Sequence, residues 1–543
     1  MSDPLPEPAD VASDRTADEE RARVADAVAA VGADLRVRAG KVSGTAADVL
    51  EAQAMMAEDS TLADDISQRI STGKTAERAV FEAFRVFREM LIDLGGYMGE
   101  RANDLDDVAQ RVIAVLSGRA APGVPESDEP YVLVAHDLAP ADTALLDLSK
   151  VLGLVTREGG PTSHTAILAR EKSIVAIVGV AGADALADGT EMIVDAGAGS
   201  VVVDPDDAQR ADALRRIEER RAALTGGVEP GALADGTPIP LLANLGSPDG
   251  SQKALDAGAE GVGLFRTEFL FLEQRMAPTV EQQREQYIKL LADFPGKKVV
   301  VRVLDAGADK PLEFLNDAHE DNPALGLRGL RALRANEDIL REQLTALAEA
   351  DAVSEAELWV MAPMVANVEE TRYFVGLATE YGLKTAGVMV EIPSAALIAD
   401  RILREAAFAS IGTNDLTQYT LAADRLLGSV AGFQDPWHPA VLRLIGETGE
   451  AGRVAGKPVG ICGEAAADPL LAVVLVGLGA TTLSMSPAAI ADVRLSLRRF
   501  TLEQAKRLAE IALAADGAAE ARDAVRAAIA EEPPHPDRNE ASQ

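Results

Sequence analysis

Eight short apolar runs, each followed by a loop and a helix-patterned segment, recur over about 300 residues of the C-terminal half. They are Ile239–Leu242, Gly261–Phe265, Val299–Leu304, Leu358–Met361, Ala386–Val390, Phe408–Ile411, Val459–Ile461 and Thr482–Met485. Eight strand–helix repeats of this size predict a TIM (β/α)8 barrel. An open doubly wound sheet would more typically use about six strands or fewer. In a TIM barrel the C-terminal strand ends form the active face, so functional polar residues are expected there.

They fall there. The second run leads into Arg266-Thr267-Glu268, the third holds Arg302 and ends at Asp305, and the fifth ends at Glu391. The sixth ends at Thr413-Asn414-Asp415, the seventh at Cys462-Gly463-Glu464 and the eighth at Ser486. Arg302 puts one charge into an otherwise apolar strand, which is costly without a counter-ion. Several guanidiniums at one mouth favour a small, highly charged anion, because the arginine fork matches phosphate and carboxylate bidentately. Glu391 and Asp415 add two carboxylates that would repel each other and that ligand. A hard divalent ion such as Mg²⁺ relieves the conflict, since it takes one or two carboxylates plus ligand oxygens and water. Simple pairing of the two carboxylates with the arginines is the alternative. The Cys462 thiol, with a free pKa of about 8.5, is protonated at pH 7 and is either an inert buried group or a proton donor.

A second constellation lies upstream, in Gly159-Gly160-Pro161-Thr162-Ser163-His164-Thr165, which leads into a helix predicted over Thr165 to Arg170. The glycines free the loop for close approach, and Thr162 and Ser163 stand where N-capping residues begin a helix. Backbone N–H groups and the dipole there favour an anion. Neutral imidazole, with an unperturbed pKa of about 6.5, offers a lone pair to phosphorus near pH 7. A satisfied structural histidine is the competing reading. An exposed histidine on one domain and an anion-binding mouth on another suggest phosphoryl transfer to nitrogen, with the histidine visiting the mouth and leaving it.

The chain is 543 residues long, nearly half hydrophobic and carries a net charge of −35, so two to four globular domains are expected. That charge excludes nucleic-acid backbone and anionic membrane surfaces as partners and suits a basic protein partner. The single cysteine excludes an internal disulfide and points to a reducing compartment, hence the cytoplasm. From Ala17 to Leu116 apolar residues recur three and four apart, as in Val24, Val28, Val31 and Leu35, or Val80, Phe84, Phe87 and Leu91. This predicts helical hairpins in a bundle. Short apolar runs at Tyr131–Ala135, Gly153–Thr156, Ile174–Val178, Met192–Asp195 and Val201–Val203 predict a compact α/β domain around His164. Asp206 to Leu224 is dense in arginine and glutamate and reads as a connector helix, with flanking glycines that suit a hinge. The expected organisation is 1–16 disordered, 17–117 bundle, 118–205 α/β domain, 206–225 linker helix, 226–530 barrel with C-terminal helices, and 531–543 disordered tail.

On these motifs the chain resembles the Enzyme I family of the bacterial sugar phosphotransferase system, the phosphoenolpyruvate–protein phosphotransferases. Gly263-Leu264-Phe265-Arg266-Thr267-Glu268-Phe269-Leu270 and Gly412-Thr413-Asn414-Asp415-Leu416-Thr417-Gln418-Tyr419 carry the resemblance with the His164 run. Val388-Met389-Val390-Glu391-Ile392-Pro393 and Cys462-Gly463-Glu464 extend it. It implies a multidomain α/β protein with a helical bundle inserted next to a swivelling phosphohistidine domain, followed by a TIM barrel. It implies that His164 is the phosphorylated nucleophile and that Arg266, Arg302 and Arg425 bind phosphoenolpyruvate, helped by Asn414 and the Asp415 backbone. By the same resemblance Glu391 and Asp415 hold Mg²⁺, Cys462 protonates the enolpyruvate carbon and Arg328 lines the pocket. The bundle docks the phosphocarrier HPr, and the barrel forms a homodimer.

Three features depart from that family. Its members begin with a short glycine-containing strand, where this chain has an acidic, proline-rich start; losing that strand would cost the α/β sheet an edge. Val175 replaces a common proline, a change a strand tolerates. Leu426-Leu427-Gly428 stands where an asparagine-containing stretch is frequent. The rival readings are an enzyme of the PEP-synthase or pyruvate phosphate dikinase type lacking its ATP domain, and a non-catalytic regulatory paralogue. The first needs a large ATP-binding domain that the helical N-terminal part does not supply. The second predicts loss of His164, Arg302, Glu391 or Cys462, and all are present.

Overall fold

The computed structural model describes residues 5–40, 45–94, 102–119, 124, 127–136, 138, 146–147, 149–158, 165, 169, 174–196, 199–225, 229–271, 276–306, 312, 314–315, 320–425 and 427–531. They fall into two compact units, Met1–Arg210 and Ala211–Gln543.

The first unit opens with five helices among the described residues: α1 (Ala17–Ala39), α2 (Thr45–Ala57), α3 (Ser60–Ser71), α4 (Ala76–Leu94) and α5 (Ala102–Ser117). A reciprocal cap starts α1, in which Thr16 accepts from the Glu19 N–H while Glu19 accepts from the Thr16 N–H at 2.8 Å. The three-and-four spacing does what it predicts. Val24, Val31 and Leu35 of α1 join Val80 and Phe84 of α4 and Val108 and Val112 of α5 in one buried cluster, with Val28, Phe87 and Leu91 on its margin.

The expectation of disorder over residues 1–16 does not describe residues 5–15, which lie along this bundle. The Leu5 N–H donates to Gln110 at 2.8 Å and the Ser13 N–H to the Gly73 carbonyl at 2.9 Å. The segment's acidity is what holds it, because Glu7 pairs with Arg78 at 2.6 Å and Asp10 with Lys74 at 3.5 Å. A proline-rich, acidic stretch stays loose only where no basic face receives it.

After the bundle come β1 (Tyr131–Ala135), β2 (Val151–Thr156) and β3 (Val175–Ile177), a parallel sheet with β2 in the middle. A separate antiparallel pair, β4 (Met192–Asp195) and β5 (Ser200–Val203), follows. Among the described residues no N-terminal strand joins the sheet, and Val175 sits in β3 as expected. The connector is the helix α6 (Asp207–Thr225).

The second unit is the barrel. Its strands are β6 (Leu241–Leu245), β7 (Val262–Arg266), β8 (Lys298–Arg302), β9 (Glu357–Ala362), β10 (Ala386–Val390), β11 (Ala409–Ile411), β12 (Val459–Ile461) and β13 (Thr482–Met485). All pair in parallel, and β13 returns to β6 to close the ring. Alternation along β8 sends Val299 and Val301 into the layer shared with the helices, where Leu290 and Leu344 cover them. Val300 points the other way, into a second cluster on the barrel axis with Leu264, Met361, Met389, Phe408 and Cys462. Lys298 and Arg302 share its parity and mark the two ends of that axis. No helix of the described residues is long and apolar enough to cross a membrane.

Candidate active site

At the C-terminal mouth the backbone aligns Arg266 of β7 beside Arg302 of β8. The Arg302 guanidinium is buried, donates to Glu268 at 2.8 Å and pairs with Asp305 at 3.0 Å. Burial alone would depress its pKa, but the charges of Glu268 and Asp305 outweigh burial and hold it further up. Asp305 is shared, since it also receives Arg328 at 3.3 Å. Arg328 then forks onto Asp415, with nitrogens 2.8 and 3.1 Å from the two carboxylate oxygens. It reaches the Tyr419 hydroxyl at 3.2 Å as well. Arg425 meets the outer oxygen of Asp415 at 3.4 Å. The result is a continuous, largely buried lattice of Glu268, Arg302, Asp305, Arg328 and Asp415, with Arg425 on its rim.

Local backbone supports it. Gly329 follows Arg328 with φ 57°, and a Cβ there would lie 2.7 Å from Met364 and 3.2 Å from Asp305, so this turn requires glycine. Met364 itself has φ 55°, uncommon for a side chain of its size. That strained turn aims its N–H at Glu391 Oε1, 2.7 Å away. Asn414 accepts from the Glu464 N–H at 3.0 Å, tying the end of β11 to the end of β12.

Two groups stand apart from the lattice. Among the described residues Arg266 makes no ion pair, so its donors are available to a ligand. Glu391 is fully buried, and burial together with the nearby charges of Asp415 and Asp305 pushes it up to about 8, against the opposing pull of Arg302 and Arg328. A buried carboxylate crowded by two others is where a cation relieves repulsion. The donors present, Glu391 and Asp415, are hard oxygens of the number Mg²⁺ commonly takes from protein. The residues therefore fit the ion, although Asp415 also answers the alternative reading, being already paired with arginine.

Cys462 is buried at the end of β12. Burial pushes its thiol up to about 11, and the Sγ donates to the Ile411 carbonyl at 3.5 Å. It is therefore a thiol with a proton to give, close enough to Arg266 and Arg302 to feel both charges.

The structure thus gathers Arg266, Arg302, Glu391, Asn414, Asp415, Arg425 and Cys462 at one barrel mouth. His164 and the run from Gly159 lie outside the described residues; of the predicted helix after it, Thr165 and Ala169 are described, helical and buried. Sequence reasoning placed Glu268 and Asp305 at strand ends without assigning them work. Their signal was the lone charge of Arg302, which required buried partners close by.

Three family models match in order along the chain: the N-terminal domain of PEP-utilising enzymes over residues 3–101, their mobile domain over 127–199 and their PEP-binding domain over 223–502. A phosphoenolpyruvate-protein phosphotransferase of Streptomyces coelicolor is 53% identical over 95% of this chain and 93% of its own length. One of Haloferax volcanii is 42% identical over 89% of this chain and 87% of its own. One of Geobacillus stearothermophilus is 39% identical, covering 87% and 85%.

Proposed function

Because the chain belongs to the phosphoenolpyruvate-protein phosphotransferase family, we infer that it moves the phosphoryl group of phosphoenolpyruvate to its own His164 and then to a histidine of HPr, releasing pyruvate. This is the first step of PEP-dependent sugar uptake, and the protein is a phosphotransferase with a nitrogenous acceptor. The observation that carries the assignment of residues is the mouth itself, where a guanidinium without an ion pair among the described residues, Arg266, stands beside the fixed Arg302 and a buried thiol.

Arg266, Arg302 and Arg425 bind the phosphate and carboxylate of the substrate, with Asn414 and the Asp415 backbone at its edge. Glu391 and Asp415 would hold Mg²⁺, which supplies charge neutralisation at the phosphoryl oxygens. Phosphoryl transfer needs positioning and charge compensation more than covalent protein chemistry, and the lattice keeps its arginines in place before substrate arrives. The neutral His164 imidazole attacks phosphorus as the bond to the enol oxygen breaks. The enolate carbon then takes the proton of the Cys462 thiol, giving pyruvate.

On this reading the segment 118–205 is the phosphohistidine domain, α6 its linker and the bundle 17–117 the HPr dock, while the barrel dimerises. Coverage of 93% of a curated phosphotransferase speaks for this function over a dikinase shorn of its ATP domain. The retained mouth residues speak for it over a non-catalytic paralogue. Incubation with phosphoenolpyruvate, Mg²⁺ and HPr is expected to yield phosphorylated HPr and one pyruvate for each. Pyruvate without phosphorylated HPr would contradict the acceptor assignment.

A further inference from the structure

The pairing of β12 with β13 ends at Ile461 and Leu483, one residue short of Cys462. A buried carbonyl past the end of a ladder needs another donor. Asn244 supplies it from β6. Its Nδ2 donates to the Cys462 carbonyl at 3.0 Å and, at 3.4 Å, to the Ser484 carbonyl. Carbonyls only accept, so the amide nitrogen must face them and the orientation of the side chain is settled. At the opposite end of the amide the Ser484 hydroxyl donates to Asn244 Oδ1 at 2.5 Å. Strand β7 makes room for this clamp. Its register with β6 passes from Ala243–Val262 to Asn244–Leu264, so Gly263 is an extra residue, and such bulges re-aim side chains beside active sites. A Cβ on Gly263 would lie 2.5 Å from Ser484 Oγ, so glycine there leaves space for the hydroxyl that holds Asn244. On its other side Cys462 is carried by β11. Its N–H donates to the Ile411 carbonyl at 3.0 Å, and its Sγ reaches the same oxygen only at 3.5 Å. A thiol is a weak donor, so the backbone, more than that contact, sets where the sulphur lies.

We propose that Asn244 is a positioning residue that aims the Cys462 thiol at the enolate carbon of the substrate by holding the Cys462 carbonyl. The proposal rests on the reading of Cys462 as proton donor. In that step the S–H bond breaks, the proton forms the new C–H bond and the electron pair stays on sulphur as thiolate. A sulphur displaced by even about 1 Å loses much of that transfer. Both bonds from the Asn244 nitrogen end on protein carbonyls, so the side chain acts through the cysteine and not on the substrate. The glycine that opens the run to Arg266 thereby serves the proton donor four strands away in sequence order, through Ser484 and Asn244.

Single-turnover formation of pyruvate by the full-length protein, followed by rapid quench with phosphoenolpyruvate and Mg²⁺, tests this. Asn244→Leu roughly keeps the volume and removes the donor. Its maximal rate should fall about tenfold or more, while the phosphoenolpyruvate concentration giving half that rate stays within about twofold of wild type. In a Cys462→Ala background the same change should cost nothing further, because no thiol is left to aim. Should Asn244→Leu fail to fold, Ser484→Ala takes its place. It unties Oδ1 but keeps the donor, so a smaller loss of about threefold is expected, again absent in the Cys462→Ala background. A wild-type maximal rate, or losses that multiply in the double variant, overturns the positioning role alone. Cys462→Ala with wild-type turnover overturns the donor reading and the proposal with it.

Discussion

In the barrel mouth Glu268, Arg302, Asp305, Arg328 and Asp415 are buried and bound to one another, whereas in the small α/β domain Glu191, paired with Arg210 of the connector helix, and the pair His136–Glu158 stand at the surface. On the proposed function the two regions carry the two halves of the reaction. The mouth must hold a multiply charged substrate against water, so its dipoles and charges are fixed in advance by one another. The small domain's described core is built around a cluster of Leu133, Ala135, Leu138, Leu146, Val151, Leu154 and Ala169, and among its described residues no charged side chain is buried. A carrier of one imidazole needs no buried charge lattice.

The sharpest way to break this contrast is to remove the proton donor without touching the lattice. Cys462→Ala should keep phosphoenolpyruvate binding but lose about 10²–10⁴ in turnover, the usual worth of a positioned general acid. Unchanged pyruvate release would move the proton donor elsewhere. Next comes the lattice. Arg302→Met leaves Glu268 and Asp305 buried without their shared cation and should cost about 3–5 kcal/mol in urea unfolding of the barrel. Arg266→Met should weaken phosphoenolpyruvate binding with no comparable loss of stability. Equal destabilisation by both would mean that Arg266 is structural too.

Glu391 gives a pH test. Its native pKa lies above the ordinary 4.5, near 8, so the folded protein keeps a proton that the unfolded chain has released. The stability this group confers is present below about 4.5 and is lost as pH rises through about 8. Glu391→Gln should flatten that decline in Mg²⁺-free buffer and abolish any rise in melting temperature on adding Mg²⁺. A variant that still responds to the ion would move the metal site. The smallest effect belongs to the small domain, where Glu191→Gln removes an exposed pair and should leave the unfolding midpoint unchanged.

Most of the barrel was legible because each strand announces itself as an apolar run ending in a polar cluster, and the expected strands match the observed ones to within a few residues. The charged strand residue Arg302 made the mouth visible for the same reason that its burial is costly. What stayed hidden depends on side chains meeting from distant strands. Asp305 was visible as a strand-end carboxylate, but its bridge from Arg302 to Arg328 joins separate segments and leaves no local pattern. The order of residues 5–15 was missed because composition records their acidity but not the basic face formed by Lys74 and Arg78.

The central claim is that one imidazole takes phosphate at this mouth. Incubation with phosphoenolpyruvate labelled in its phosphoryl group, with Mg²⁺, should give an acid-labile, base-stable label on the wild-type protein and none on His164→Ala. A His164→Ala protein that takes up the same label would contradict it.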